Sequence, residues 1–379
     1  MSKKKKKNPI DILMNQIIKK KRQGNQLTES LWNPYTDGVT YSLLSKFTAC
    51  RERTRLSYVE GWTSKNFNVP LEFGNIFHLL KEWKYSGKSM DETLKIANSY
   101  IEAKISRRGL TATAINELQC LKELVVVTFK EYVKFWEKNP TFSSGNKSYC
   151  DKDIIFKNIE RKFKIPWTLS NNKIITLTGK IDGELIDPVS KKYRVLENKT
   201  KQRIDEVDIE TLLKNDMQTT MYLLGNRETY GSMPDGVIYN VVRRTSLKPR
   251  KDEDSSSYSK RIGSDIRSRP DFYFMRWKVD ISETDLNRFV EKSLDPLLCQ
   301  LVMWWESIKD NPFDPWRTRS SVRKSKKNEL HYARPFGMFG GTTFDIANEF
   351  KEIVVNEDHS EYEQRKVCFP ELEDDECLL

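Results

Sequence analysis

The feature that most limits what this chain can fold into is a change of hydrophobic period near residue 150. Upstream, apolar residues recur at three- and four-residue steps, as on one face of a helix. The pattern starts at Tyr41-Ser-Leu-Leu-Ser-Lys-Phe-Thr-Ala-Cys50, where a serine cap is expected, and continues through Arg51 to Tyr58. It predicts further helices near Leu71–Lys84, Met90–Ile105 and Ala112–Trp136. Downstream, Ile154–Pro166 and Lys173–Ile186 alternate apolar and polar residues, as half-buried strands do. Asp187-Pro-Val-Ser-Lys-Lys reads as a hairpin turn, followed by a strand over Tyr193–Asn198, a helix over Val207–Leu224 and a β-rich run over Val237–Arg243. Residues 246–270 are polar and read as a mobile loop; a strand (Phe272–Val279) and a long helix (Ser282–Lys309) follow. The order is helices, a mixed α/β core, then a helix and an irregular end, with no internal repeat.

Charge then narrows the partners. The chain has 379 residues with a net charge of +11. Of this, +8 lies in residues 1–25 and −7 in residues 357–379, leaving +10 on the body between. A basic body points to a polyanion, nucleic acid before an acidic membrane. The head, with Ser2 where myristoylation needs glycine, gives no lipid anchor. No apolar run reaches the roughly 18 residues of a membrane span, and no long apolar segment marks a secretory signal. The six cysteines (50, 120, 150, 299, 368, 377) form no Cys-x-x-Cys pair, which fits a reducing cytoplasm. With only His78, His331 and His359 as imidazoles, carboxylates are the expected workers.

Four short elements carry the chemistry. Gly74-Asn-Ile-Phe-His78 lies on the second helix, Asp182 on a strand in Gly179-Lys-Ile-Asp-Gly-Glu, Glu197-Asn-Lys199 at the end of the next strand, and Gln218-Thr-Thr-Met-Tyr222 on the following helix. Two carboxylates at the ends of adjacent strands suit a hard divalent cation such as Mg²⁺ or Mn²⁺. Lys199, two residues after Glu197, shares its strand face. Gln218 and Tyr222, four apart, share a helix face from which they could brace the lysine or touch a phosphate. His78 as a further ligand would favour Mn²⁺. Singly, each piece has an ordinary reading: a chance Glu-x-Lys in a chain that is 31% charged, a turn aspartate before Gly183, a surface histidine, an exposed amide and a core tyrosine. The ordered set on elements of the right type carries the weight.

That set resembles the PD-(D/E)XK nuclease superfamily, in its RecB-like branch with the Gln-x-x-x-Tyr motif, which includes CRISPR adaptation exonucleases and many phage exonucleases. The opening stretch Tyr41–Arg53, with Ser45, Phe47 and Cys50, and the later runs Ile238–Arg244 and Tyr273–Val279 extend the likeness over about residues 41–347. Position 181 is Ile and not Pro. The resemblance implies a restriction-endonuclease-like mixed sheet flanked by helices, with an N-terminal helical region. Its organisation would be a basic flexible tail (1–39), a helical region carrying Gly-x-x-x-His (40–150), the nuclease core and a C-terminal helical part (151–350), and an acidic tail (351–379). It implies Asp182 and Glu197 as metal ligands with His78 and a backbone carbonyl near Asn198, Lys199 as the catalytic lysine, and Gln218 and Tyr222 as support or DNA contacts. The implied activity is Mg²⁺- or Mn²⁺-dependent hydrolysis of DNA, as an exonuclease in recombination, repair or phage DNA processing, in a bacterial cytoplasm or a phage-infected host. The alternative is a catalytically silent DNA-binding or scaffold subunit of a larger complex.

Many members of that branch hold a 4Fe–4S cluster on one cysteine near the start and three near the end. Cys50 stands at the first position, but Arg334-Pro-Phe-Gly-Met-Phe-Gly-Gly-Thr-Thr-Phe-Asp-Ile-Ala347 contains no cysteine. About four thiolates are needed, so Cys50 reads as a vestigial position, with packing expected to join the two ends instead. Basic runs at Arg161–Lys164, Arg243–Lys251 and Arg317–Lys327 are candidates for a backbone track, each also readable as a solvated surface. The basic head and the acidic tail are candidate docking arms for a protein partner.

Overall fold

Among the described residues, four long helices precede the sheet: α1 (Tyr41–Ala49), α2 (Val69–Tyr85), α3 (Met90–Ile105) and α4 (Ala112–Trp136). Their starts are set by side chains that accept otherwise unpaired backbone N–H groups. Thr40, rather than a serine, caps α1 by accepting from the Leu43 N–H; Asn68 accepts from that of Leu71. Ser89 and Glu92 close a capping box on α3. After α1 the chain passes through a short turn (Arg51–Thr54) and a π-helical turn (Arg55–Val59). There Arg55 is buried between Glu52 and Glu60. The structure is a computed structural model that describes residues 30–65, 68–106, 112–202, 209–310, 322–324, 330–333, 343–345, 349–350, 353 and 358–373. Most of the basic head, much of the Arg317–Lys327 run, most of Arg334–Ala347, and Cys377 lie outside the described residues.

The sheet has five strands in sequence order: β1 (Phe156–Thr168), β2 (Ile174–Ile186), β3 (Tyr193–Lys201), β4 (Gly236–Arg243) and β5 (Phe274–Asp280). Only β3 and β4 run parallel, and the crossover between them contains helix α5 (Met217–Tyr230). Helix α6 (Ser255–Ser268) lies between β4 and β5, and α7 (Asp295–Ile308) follows the sheet. Alternation along β4 divides the two faces. Val237, Tyr239 and Val241 enter a core built with α1, α5 and α7. On the opposite face Val242 meets α2, α4 and α6, and Ile238 meets Phe142 and Ile154. Asn240 lies between those two and is fully buried.

Close approach of α5 to the sheet depends on two glycines. A Cβ at Gly225 or at Gly179 would fall 2.8 Å from the Phe163 ring, so that ring fits between strand and helix only because neither carries a side chain.

Three segments expected to be free or irregular are packed or helical. Residues 30–39, expected in a flexible tail, are packed: Trp32 and Val39 are fully buried, and the Trp32 indole donates to the Gly38 carbonyl at 2.7 Å. The expected loop at 246–270 contains α6, which buries Tyr258, Ile262 and Ile266 beneath a polar surface. Part of the acidic tail is also packed, so 358–373 is not a free arm; Tyr362 and Phe369 are buried, the latter against Tyr58.

The two ends of the described chain meet. Trp62–Ser64 pairs antiparallel with Tyr362–Gln364. Cys50, Leu56, Trp62, Phe350, Ile353 and Tyr362 form a small apolar cluster. Lys46, at 2.8 Å, and Arg53 both bind Glu349. Among the described residues, no helix is long and apolar enough to cross a membrane.

Candidate active site

Pairing between β2 and β3 runs from Ile186–Tyr193 to Gly183–Leu196 and stops there. The next residues are Asp182 and Glu197, so the strands part where the two carboxylates stand. Asp182 is 7% exposed; its Oδ2 accepts the Asn198 backbone N–H at 2.7 Å.

Helix α2 reaches the same point. Gly74 approaches β3 so closely that a Cβ there would sit 3.1 Å from Thr200 Oγ1. One turn on, His78 Nδ1 lies 3.6 Å from Asp182 Oδ2. Enclosure by its neighbours lowers the His78 pKa against the pull of Asp182, so the imidazole is neutral, the form in which it ligates metals. The spacing of Gly74 and His78 thus has a simple basis: the glycine admits the helix and the histidine uses the approach.

Glu197 is fully buried on β3. Its Oε1 pairs with Lys199, and its Oε2 has no hydrogen-bond partner among the described residues. Burial raises its pKa to about 8; Asp182 adds to the rise and Lys199 opposes it. Burial works against the charge of Lys199, yet Glu197 and Asp182 together raise it above the ordinary lysine value, so it is a cation. Lys199 also donates to Gln218 Oε1, and Gln218 Nε2 donates to the Tyr222 hydroxyl at 2.8 Å. The amide and the phenol, one turn apart on α5, therefore hold the lysine from behind. Tyr41 of α1 feels the charge of the pair: burial raises its hydroxyl pKa, with the charges of Asp216, Lys199 and Glu197 acting on it.

A sequence model of the PD-(D/E)XK nuclease superfamily matches residues 39–320. The chain belongs to this superfamily. The five-stranded mixed sheet flanked by helices is consistent with its fold. No curated protein matches the chain. Among solved structures, that of SSO0001 is similar at 12% identity and a TM-score of 0.22, covering 67% of this chain and 84% of its own.

One acid at the centre of this PD-(D/E)XK chain was not anticipated from sequence. Ile159 pairs with Gly183 and Arg161 with Ile181, which sets Glu160 opposite Asp182. Ligand atoms of His78, Glu160 and Asp182 all lie within 4.8 Å of one another. Glu160 has a positive φ of 49°, a local kink in β1, and Lys180 Nζ stands 2.8 Å from its Oε2. Burial raises its pKa to about 8, and the charge of Asp182 adds to this. A signal existed: Glu160 is the lone acid in Ile159-Glu-Arg-Lys-Phe-Lys-Ile165, and counting back along both strands from their hairpin places it across from Asp182.

The donor set fits a divalent cation. It combines a neutral imidazole, a carboxylate oxygen without a partner, and three acids that crowd one another in a buried place. One basic run has another use. Arg161 pairs with the buried Glu184 at 2.5 Å and donates to Asn226 Oδ1 at 2.9 Å, so it ties β1 to β2 and α5.

Proposed function

We propose that this chain is a divalent-metal-dependent deoxyribonuclease of the RecB-like branch, an exonuclease of recombination, repair or phage DNA processing. The observation that carries the reading is the meeting of His78, Glu160 and Asp182 beside the Glu197–Lys199 pair. His78, Glu160, Asp182, Glu197 and the Asn198 carbonyl would hold the ion, and the imidazole favours Mn²⁺ alongside Mg²⁺. Bound there, the ion supplies Lewis acidity toward the scissile phosphate and the attacking water.

The chain's own groups do the rest. Asp182 is fixed by the Asn198 N–H, so its second oxygen keeps one direction. Lys199 Nζ, a cation held by Glu197 and Gln218, donates to the attacking water and offsets charge on the phosphate. Tyr222, through Gln218, prevents the lysine from swinging away. Hydrolysis leaves a 5′-phosphate, as the branch implies. The net +10 body supplies the long-range attraction for the DNA backbone. The basic head is a docking arm, and the setting is a bacterial or phage-infected cytoplasm.

The test is digestion of end-labelled single- and double-stranded DNA with Mg²⁺ and Mn²⁺ in turn. Wild-type protein releases short products from ends, and Asp182→Ala and Glu197→Ala do not. Cleavage that survives both substitutions refutes the site. DNA binding without cleavage under every metal condition supports a silent scaffold subunit instead.

A further inference from the structure

The middle residue of Glu197-Asn198-Lys199 points the other way. Alternation along β3 sends Glu197 and Lys199 toward α5 and sends Asn198 toward the helical region. There Asn198 Oδ1 accepts two hydrogen bonds, from Lys81 Nζ at 2.7 Å and from Asn240 Nδ2 at 2.8 Å. Behind them the contacts continue. Asn240 Nδ2 also donates to the Tyr132 hydroxyl at 2.9 Å, and Arg276 donates to Asn240 Oδ1 at 3.1 Å and to the Tyr132 hydroxyl at 3.0 Å. Arg276 is in turn held by Asp151 at 2.5 Å.

Lys81 is the costly member. It is 2% exposed, and its amine lies 4.8 Å from the Tyr132 ring centre and 5.3 Å from that of Phe77. Among the described residues no carboxylate comes within ion-pair distance of it. A buried amine without a counter-charge is unfavourable, and an apolar residue of the same length would pack in its place. Its position explains why it is there. Lys81 lies on α2 one turn from His78 and holds the residue whose own N–H holds Asp182 and whose neighbours are Glu197 and Lys199.

We propose that Lys81 is a positioning residue for the metal site: by clamping the Asn198 side chain it fixes β3 against α2. The distance from His78 to the Asp182–Glu197–Lys199 group is set by that clamp. This rests on the metal-dependent nuclease reading above.

The experiment compares full-length wild type with Lys81→Met and Lys81→Gln. Three quantities are read: kcat and KM on end-labelled DNA with Mn²⁺, Mn²⁺ affinity from the spin-resonance signal of the free ion, and the unfolding midpoint. Lys81→Met keeps the apolar stem and deletes the donor, whereas Lys81→Gln keeps a shorter donor. Lys81→Met is expected to lower kcat and Mn²⁺ affinity by about tenfold, as loss of a residue that orients metal ligands does, with KM for DNA unchanged. Lys81→Gln recovers most of both. Unchanged kcat and Mn²⁺ affinity in Lys81→Met overturn the proposal, as does a Lys81→Gln variant no better than Lys81→Met, since the effect then does not follow the hydrogen bond. If Lys81→Met does not fold, Tyr132→Phe, which removes one hydroxyl from the same chain of contacts, decides. A drop of about threefold in kcat supports the proposal, and full wild-type kcat and Mn²⁺ affinity overturn it. Wild-type protein that binds Mn²⁺ and cleaves no DNA refutes the nuclease reading alone, and the affinity comparison still decides on Lys81.

Discussion

Glu197 and Glu160 make the stability of the metal-free protein depend on pH in an unusual direction. Most carboxylates in a fold are held below their unfolded pKa; these two are raised from an ordinary 4.5 to about 8 by burial and by the nearby Asp182. A group that binds its proton more tightly when folded stabilises the fold most at low pH, and that contribution is lost as pH rises from about 4.5 toward 8. At 1.36 kcal/mol per pKa unit, Glu197 alone accounts for roughly 4 kcal/mol across that window, a large share of a typical total of about 5–15 kcal/mol. The two do not simply add, because Asp182 acts on both. A divalent cation replaces the protons, so its stabilising effect grows over the same window. The assay is calorimetric unfolding at steps from pH 5 to 8.5, with chelator or with Mn²⁺, for wild type and Glu197→Gln. In chelator the wild-type midpoint falls relative to that of Glu197→Gln as pH rises, because the amide does not titrate; the difference between the two proteins removes the contributions of His78 and other groups. The gain from Mn²⁺ is small near pH 5 and largest near pH 8 in wild type, and weak throughout in Glu197→Gln. Parallel midpoints for the two proteins from pH 5 to 8 would refute the reasoning, since Glu197 would then titrate as an ordinary exposed acid.

Two further outcomes follow from packing. Gly225→Ala should gain about 1 kcal/mol of helix propensity, but the new methyl meets a Phe163 ring confined on its far side by Gly179, and overpacking costs about 1–3 kcal/mol. A net loss in the urea midpoint with a lower kcat is expected, because α5 moves with Gln218 and Tyr222; a stabilised, fully active variant would contradict the close fit. Phe350→Ala removes a fully buried ring stacked on Tyr362 and should cost about 3–5 kcal/mol, read as faster hydrogen exchange at Trp62–Ser64 and Tyr362–Gln364. Unchanged exchange there would show that the ends are held by something other than this cluster.

What could be read from sequence was what repeats. Met90–Ile105 and Ala112–Trp136 emerge with the bounds expected, since each sustains an apolar stripe over several turns, and α3 also has a capping box. The strands β1 to β3 and the placement of Asp182 and Glu197 follow from alternation and a short hairpin. Isolated anchors were not legible. Trp32 is a single indole in a polar segment, and its burial depends on a carbonyl made available by the turn at Gly38. Helix α6 shows only Tyr258, Ile262 and Ile266, one residue per turn in a serine- and arginine-rich stretch, so its mean polarity hid its period. The interruption of the last long helix at Val290–Leu294 is a π-helical turn, and Pro296, two residues past it and without a backbone N–H to donate, is the one sign of it in the sequence. Glu160 was missed because strand alternation says which face a residue takes, and only a strand register says what stands across from it.

The pairing of Trp62 with Gln364 bears on the order of assembly. The contact closes a loop that spans most of the chain, so its entropy is lost late, after local helices and hairpins have formed. On the ribosome it cannot form until residue 364 has emerged. Helix α1, whose Tyr41 feels the charges of Glu197 and Lys199, is tied to the late segment by the Lys46–Glu349 ion pair. During synthesis the carboxylates can assemble before that tie forms. Glu349, Phe350 and Tyr362–Gln364 are then added to a set of ligands already gathered.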